Sequence, residues 1–191
     1  MFSPMSSPTS EPASTPPIET LYQGKFLALK REGKWEYAER PNARGAAFIV
    51  AVTEACELVL VEQYRMPLHR RCIELPAGII GDEAAFADEG VEAAALRELE
   101  EETGFRAARA ERLLSGPVGA GMTSEILHLI RAHGLTRVHA GGGVDGEDIT
   151  VHVVPLAGIG EWLVRQGQSG KWVEPRIYAG LWFVQNAAVK G

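Results

Sequence analysis

The longest uninterrupted apolar stretch of the chain, Ala46 to Val52, is seven residues long. A membrane-spanning helix needs about 18 or more, and a globular helix usually runs to at least about ten. A run this short, rich in strand formers, is a strand candidate. Leu58-Val59-Leu60-Val61 is a second such run, reached through a connection at Thr53 to Glu57. Cys72-Ile73-Glu74-Leu75 is a third, halted by Pro76. Glu125 to Ile130 and Ile149 to Val154 are further strand candidates. Ahead of them, Lys25 to Lys30 and Lys34 to Tyr37 predict a hairpin turning through Arg31 to Gly33.

Helical periodicity is found in three places. Val91, Ala95, Leu96 and Leu99 recur at i, i+4, i+5 and i+8, and Gly104 stands where a C-terminal cap glycine belongs. Amphipathic stretches of about Leu156 to Gln166 and Pro175 to Val189 follow. Strands mixed with three helices, 191 residues and no internal repeat predict one α/β domain, long enough to bury a core unaided by disulfides. Residues 1–17 differ in texture, with five of the eleven prolines, five serines and one charge. Such a segment cannot bury enough apolar surface to offset its ordering entropy, so a disordered tail is expected there. Residues 18–44 then form a small N-terminal β-layer and residues 45–191 the main domain.

Charge and cysteine content narrow the partners. Lys+Arg number 19 and Asp+Glu 25, a net charge of −6. Nucleic-acid binding needs a basic face, so no nucleic-acid partner is expected, and nothing points to a membrane. The N-terminus has neither the basic nor the apolar segment of a secretory signal. Cys56 and Cys72 make neither a disulfide framework nor a zinc site; they read as reduced core thiols of a cytoplasmic protein. The five histidines show no ligand spacing. Trp162, Trp172 and Trp182 are expected in the core or at a dimer contact.

The chemistry concentrates in Arg97-Glu98-Leu99-Glu100-Glu101-Glu102-Thr103-Gly104-Phe105. Glu98, Glu101 and Glu102 stand at i, i+3 and i+4 and share one helical face, while Leu96 and Leu99 point away into the core. Helix C-termini carry partial negative charge and favour cations, so the placement opposes helix stability. Each like-charge pair on that face costs up to about 3 kcal/mol at an effective dielectric near 20, less where side chains splay into water. Arg97 offsets part of this through Glu101 at i+4. On charge alone two readings stand: a solvated acidic helix end, or a site for a hard divalent cation with oxygen ligands, which suits Mg²⁺.

Arg-Glu-Leu-x-Glu-Glu-x-Gly-Phe resembles the second half of the Nudix box, G-x5-E-x7-R-E-U-x-E-E-x-G-U with U apolar. Glu89, eight positions before Arg97, matches the first glutamate of the box, and Glu74-Leu75-Pro76-Ala77-Gly78 resembles its opening in ADP-ribose pyrophosphatase-like members. Ten residues separate Gly78 from Glu89 where the pattern has five, and Ala84 occupies the strict position; Gly81 to Asp88 is read as holding a five-residue insertion that leaves the carboxylate face intact. The resemblance implies a Nudix-type α/β/α sandwich with a mixed sheet. It implies Mg²⁺, with Mn²⁺ able to substitute, held by Glu98, Glu101, Glu102 and the Ala77 carbonyl.

It also implies hydrolysis of the pyrophosphate bond of a nucleoside diphosphate sugar, ADP-ribose giving AMP and ribose 5-phosphate. Another nucleotide sugar (GDP-mannose, ADP-glucose), a dinucleotide, or a non-catalytic ADP-ribose sensor are the alternatives. A catalytic base is expected on the acidic glycine loop, at Glu147 or Asp145, with Glu147 ahead for reach; Glu101 is a further catalytic candidate. Arg65 resembles a phosphate-contacting arginine. Trp35 and Arg40 in the N-terminal layer would meet the nucleobase, in a homodimer. Met122 would line the substrate site, and Glu125 either supports it or merely begins a strand. Ala120 stands where ADP-ribose pyrophosphatases commonly carry proline.

Overall fold

The computed structural model describes residues 15–81, 86, 88–144 and 146–186. Its strands are β1 (Ile18–Gln23), β2 (Ala28–Glu32), β3 (Trp35–Glu39), β4 (Ala46–Ala51), β5 (Glu57–Arg65), β6 (Arg70–Glu74), β7 (Ala77–Ile79), β8 (Phe105–Pro117), β9 (Ile126–Arg137), β10 (Ile149–Pro155) and β11 (Trp172–Val173). Its helices are α1 (Val91–Thr103), α2 (Ile159–Gln168) and α3 (Arg176–Gln185). β1, β2 and β3 form an antiparallel sheet of their own. Two four-stranded mixed sheets follow, in the orders β10-β5-β6-β11 and β7-β4-β9-β8.

The apolar run at Ala46 is the interior strand β4, antiparallel to β7 and parallel to β9. Every residue of β4 except Phe48 is buried, which explains a run without alternation. Ala94, Ala95 and Leu99 of α1 pack with Ile49, Val59 and Ile130 in one core. Ile159 and Leu163 of α2 and Ile177 and Leu181 of α3 close a second core over Leu58, Leu60 and Ile73. Each fully buried aliphatic side chain contributes roughly 1.5–3 kcal/mol, and the two cores hold the sheets between helices. No helix among the described residues is long and apolar enough to cross a membrane.

The structure adds to several expectations and corrects others. The N-terminal hairpin gains β1 as a third strand, and Pro16 lies against Gly33. Residues 1–14 of the expected tail, Ala84 and most of the expected insertion, and Val189 at the end of the third amphipathic stretch lie outside the described residues. Cys72 is buried, but Cys56 is exposed. It sits at φ 60° in the tight turn where Thr53 N–H bonds Glu57 O, so it cannot reach the core. Trp162 packs against the second core, whereas Trp172 and Trp182 are about half exposed, on the edge strand β11 and the outer side of α3.

Candidate active site

α1 carries the acids and ends where the sequence predicts. Gly104 takes φ 73° and donates its N–H to Glu100 O at 2.8 Å. A Cβ there would stand 2.1 Å from the His139 carbonyl oxygen, so only glycine closes this helix against the following loop. Leu99 is fully buried, and the face that flanks it presents Glu98, Glu101 and Glu102.

Glu102 is 5% exposed, and its Oε2 accepts the Ala77 N–H at 3.0 Å. Burial pushes this carboxyl up to about 8; the Ala77 N–H opposes the rise, and the charges of Glu98 and Glu147 add to it. Burial likewise pushes Glu98 up to about 7, with Arg97 opposing and Glu101 and Glu147 adding. A Cβ on Gly78 would lie 2.0 Å from Glu98 Cδ, so Glu98 rests directly on the bare backbone of β7. Arg97 supplies the local positive charge: its guanidinium lies 2.9 Å from Glu101, 3.0 Å from Glu98 and 3.2 Å from Glu89, and stacks over Phe86. Among the described residues, no three His, Cys, Asp or Glu side chains already form a metal cage. Glu98 and Glu101 are turned to Arg97, and Glu102 is turned to Ala77.

The acidic glycine loop closes the end of α1. Gly142 and Gly143 donate their N–H groups to Glu102 O at 2.8 Å and Glu101 O at 3.2 Å, satisfying carbonyls that a helix end leaves open. The loop returns as β10, and just before it Glu147 accepts the Val144 N–H at 3.2 Å. The charge of Glu147 acts on both Glu98 and Glu102, so the three carboxylates form one neighbourhood. Asp145, the other candidate base, lies outside the described residues.

Arg65 joins this neighbourhood, since its charge favours the ionised form of Glu102. Its Nε donates to both oxygens of Glu74 at 3.0 Å. Sequence reading gave Glu74 no role. The available signal was an acid inside an apolar strand, which needs a cation when buried; Glu74 is 8% exposed.

The remaining candidates gather beside the N-terminal sheet. Thr123 bridges Ala38 of β3, and the Met122 carbonyl accepts the Ala38 N–H at 2.8 Å. Met122 therefore lends its backbone to docking this loop, while its side chain is 77% exposed. Trp35 and Tyr37 line a cavity of about 600 Å³ with Gly121 and Thr123. Arg40 bonds Glu125 at 2.8 Å in the wall of a second cavity of about 400 Å³, with Arg44 and Ser124. The three helix glutamates are in the walls of neither.

Comparison with known proteins agrees with this arrangement. The NUDIX domain matches residues 42–171. A methanol dehydrogenase activator from Bacillus methanolicus is 34% identical over 144 residues, covering 72% of this chain and 75% of that protein. An ADP-ribose pyrophosphatase from Bacillus subtilis is 33% identical over 146 residues, with coverage of 72% and 75%. A crystal structure of an ADP compounds hydrolase shares the fold with a TM-score of 0.72 at 20% identity, over 94% of this chain and 95% of that one. The domain match spans the opening strand, the acid-bearing helix and the glycine loop, and the chain belongs to the Nudix family.

Proposed function

We propose that the protein is a Mg²⁺-dependent hydrolase of the pyrophosphate bond of nucleoside diphosphate sugars, with ADP-ribose cleaved to AMP and ribose 5-phosphate. The observation that carries this reading is the seating of Glu102 and Glu98 on the Ala77-Gly78 backbone, within the field of Glu147. The 33% identity to an ADP-ribose pyrophosphatase supports the substrate.

The donor set fits a hard divalent cation. Buried carboxylates held this close raise one another's pKa, and a cation reverses that penalty. Glu98, Glu101 and Glu102 would hold it, with the Ala77 carbonyl. In a strand the N–H and C=O of one residue face the same edge, and the Ala77 N–H already faces Glu102. Bound Mg²⁺ would neutralise the diphosphate and make a bound water more acidic.

The chain's own groups then have defined tasks. Glu147 accepts the water proton as the water oxygen bonds to phosphorus and the bridging oxygen leaves with the other phosphate; Asp145 is the second candidate for that proton. Glu101 shares in the acid face. Arg65, aimed by Glu74, meets the negative charge of the diphosphate. Trp35 and Tyr37 offer aromatic faces to the base, with Arg40, Glu125 and Met122 beside them. The exposed Tyr22, Phe26, Leu27 and Trp35 of the N-terminal layer support a homodimer. The free thiols Cys56 and Cys72 support a cytoplasmic location.

A phosphatase-coupled assay over ADP-ribose, ADP-glucose, GDP-mannose and a dinucleotide, with Mg²⁺, Mn²⁺ or chelator, tests the reading. Turnover of ADP-ribose above the others, lost on chelation, is expected. Preference for another member moves the substrate within the class. No turnover of any member rejects hydrolysis in favour of ligand sensing.

A further inference from the structure

We propose that Arg71 is a positioning residue: by holding Asp148 it aims Glu147 at the Glu98–Glu102 face. The inference rests on Glu147 being the base. The loop from Gly141 to Asp148 contains four glycines, so its path is set by its anchors rather than by its own backbone preferences. At its start, Gly142 and Gly143 are tied to the last carbonyls of α1. At its end, the Asp148 carboxylate takes a hydrogen bond from Arg71 Nη2, a residue 77 positions earlier on β6.

Strand alternation decides what that second anchor does. Val151 and Val153 face the α1 core, while His152 faces Trp162 of α2 on the other side. Just ahead of β10, Asp148 meets Arg71, which lies beside Glu62 on the His152 side, while the charge of Glu147 acts on Glu98 and Glu102 of α1. On β6 the same rule separates Arg71 from Glu74, the partner of Arg65. Arg71 is thus on the far side of the sheet from the diphosphate-facing arginine, and substrate affinity does not depend on it directly.

Arg71 has a firm base. Its Nε lies 3.8 Å from Glu62 Oε1. Glu62 is buried and accepts bonds from Lys171 Nζ at 2.7 Å and His152 Nε2 at 2.9 Å. The outer partner is different: the Asp148 side chain is 72% exposed. An ion pair so open to water adds little to stability. Its effect is on where the loop ends, and a displacement of about 1 Å at a catalytic group can cost up to about a hundredfold in rate.

The test compares Arg71→Gln, Arg71→Lys, Asp148→Asn and Glu147→Gln on ADP-ribose with saturating Mg²⁺, alone and combined. Arg71→Gln and Asp148→Asn should each lower kcat about tenfold, with KM and melting temperature unchanged. The double variant should lose no more than either single one, because both break one contact. Arg71→Lys should recover most of the rate. In the Glu147→Gln background, Arg71→Gln should cost nothing further. Full kcat in Arg71→Gln, a tenfold extra loss in that background, or a melting temperature that falls with kcat overturns the proposal while leaving the base assignment intact. Wild-type turnover in Glu147→Gln overturns both together.

Discussion

Glu102 accepts a hydrogen bond of 3.0 Å from the backbone N–H of Ala77, 25 residues earlier, and this contact fixes the inner acid of α1 against β7. The bond satisfies one carboxylate oxygen without supplying positive charge. Replacing Glu102 with glutamine keeps an oxygen for the Ala77 N–H and removes a buried charge. Glu102→Gln should lower kcat by about a hundredfold or more through loss of a cation ligand. Its melting temperature in metal-free buffer at pH 8 should equal or exceed that of the wild type. Steady-state kinetics and thermal melts check both; near-normal kcat would remove this helix face from the chemistry.

The raised carboxyls make stability depend on pH. A free glutamate titrates near 4.5, whereas Glu102 and Glu98 titrate near 8 and 7 because burial penalises their charge. Each therefore favours the folded state when protonated. That contribution is complete below about pH 4.5 and is lost as pH rises through 7 to 8. Metal-free protein should melt at a higher temperature at pH 6 than at pH 8.5, with Glu102 contributing on the order of 2–4 kcal/mol and the less buried Glu98 less. Glu102→Gln should flatten the difference. At pH 7, Mg²⁺ binding should expel about one proton, measurable by calorimetry in buffers of different ionisation enthalpy.

Gly78 is a steric requirement of the same site. A methyl group there would stand 2.0 Å from Glu98 Cδ, so Gly78→Ala must swing Glu98 off the β7 backbone. Mg²⁺ affinity should fall about tenfold, in the range typical when the support of a metal ligand is lost, with a stability cost of about 1–3 kcal/mol. Titration calorimetry and chemical denaturation separate the two effects.

Tyr22 and Phe26 are 67% and 68% exposed on the N-terminal layer. Sedimentation equilibrium should give twice the chain mass, and the double variant Tyr22→Glu/Phe26→Glu should shift it to the monomer. A monomeric wild type would leave Trp35 to act within one chain.

The legible parts of the protein were those written locally. α1 announces itself through the spacing of Val91, Ala95 and Leu99 and through Gly104, and its acids fall on one face by helix geometry alone. β8 was not legible: Arg106, Ala107, Ala108, Arg109 and Ala110 carry helix rather than strand propensity. Pairing with β9 over its whole length, from Phe105 opposite Arg137 to Pro117 opposite Ile126, overrides that preference at an edge of the sheet. The grip of Glu74 on Arg65 needs the register in which Glu74 lies opposite Val61, and no local pattern contains it. The loop that seats Met122 beside β3 is likewise fixed by partners some eighty residues away. Glu147 was legible as an acid on a glycine loop, but the field it exerts on Glu98 and Glu102 follows only from the way that loop folds back.

The amides of Gly142 and Gly143 tie two events together. Lifting the loop would strip the final turn of α1 of its two borrowed donors just as it carried Glu147 away from Glu98 and Glu102. The Gly104 cap and the Ala77 bond to Glu102 would remain, so the solvent-exchange rates of those two amides become a gauge of how often the loop alone lifts from the acid-bearing helix.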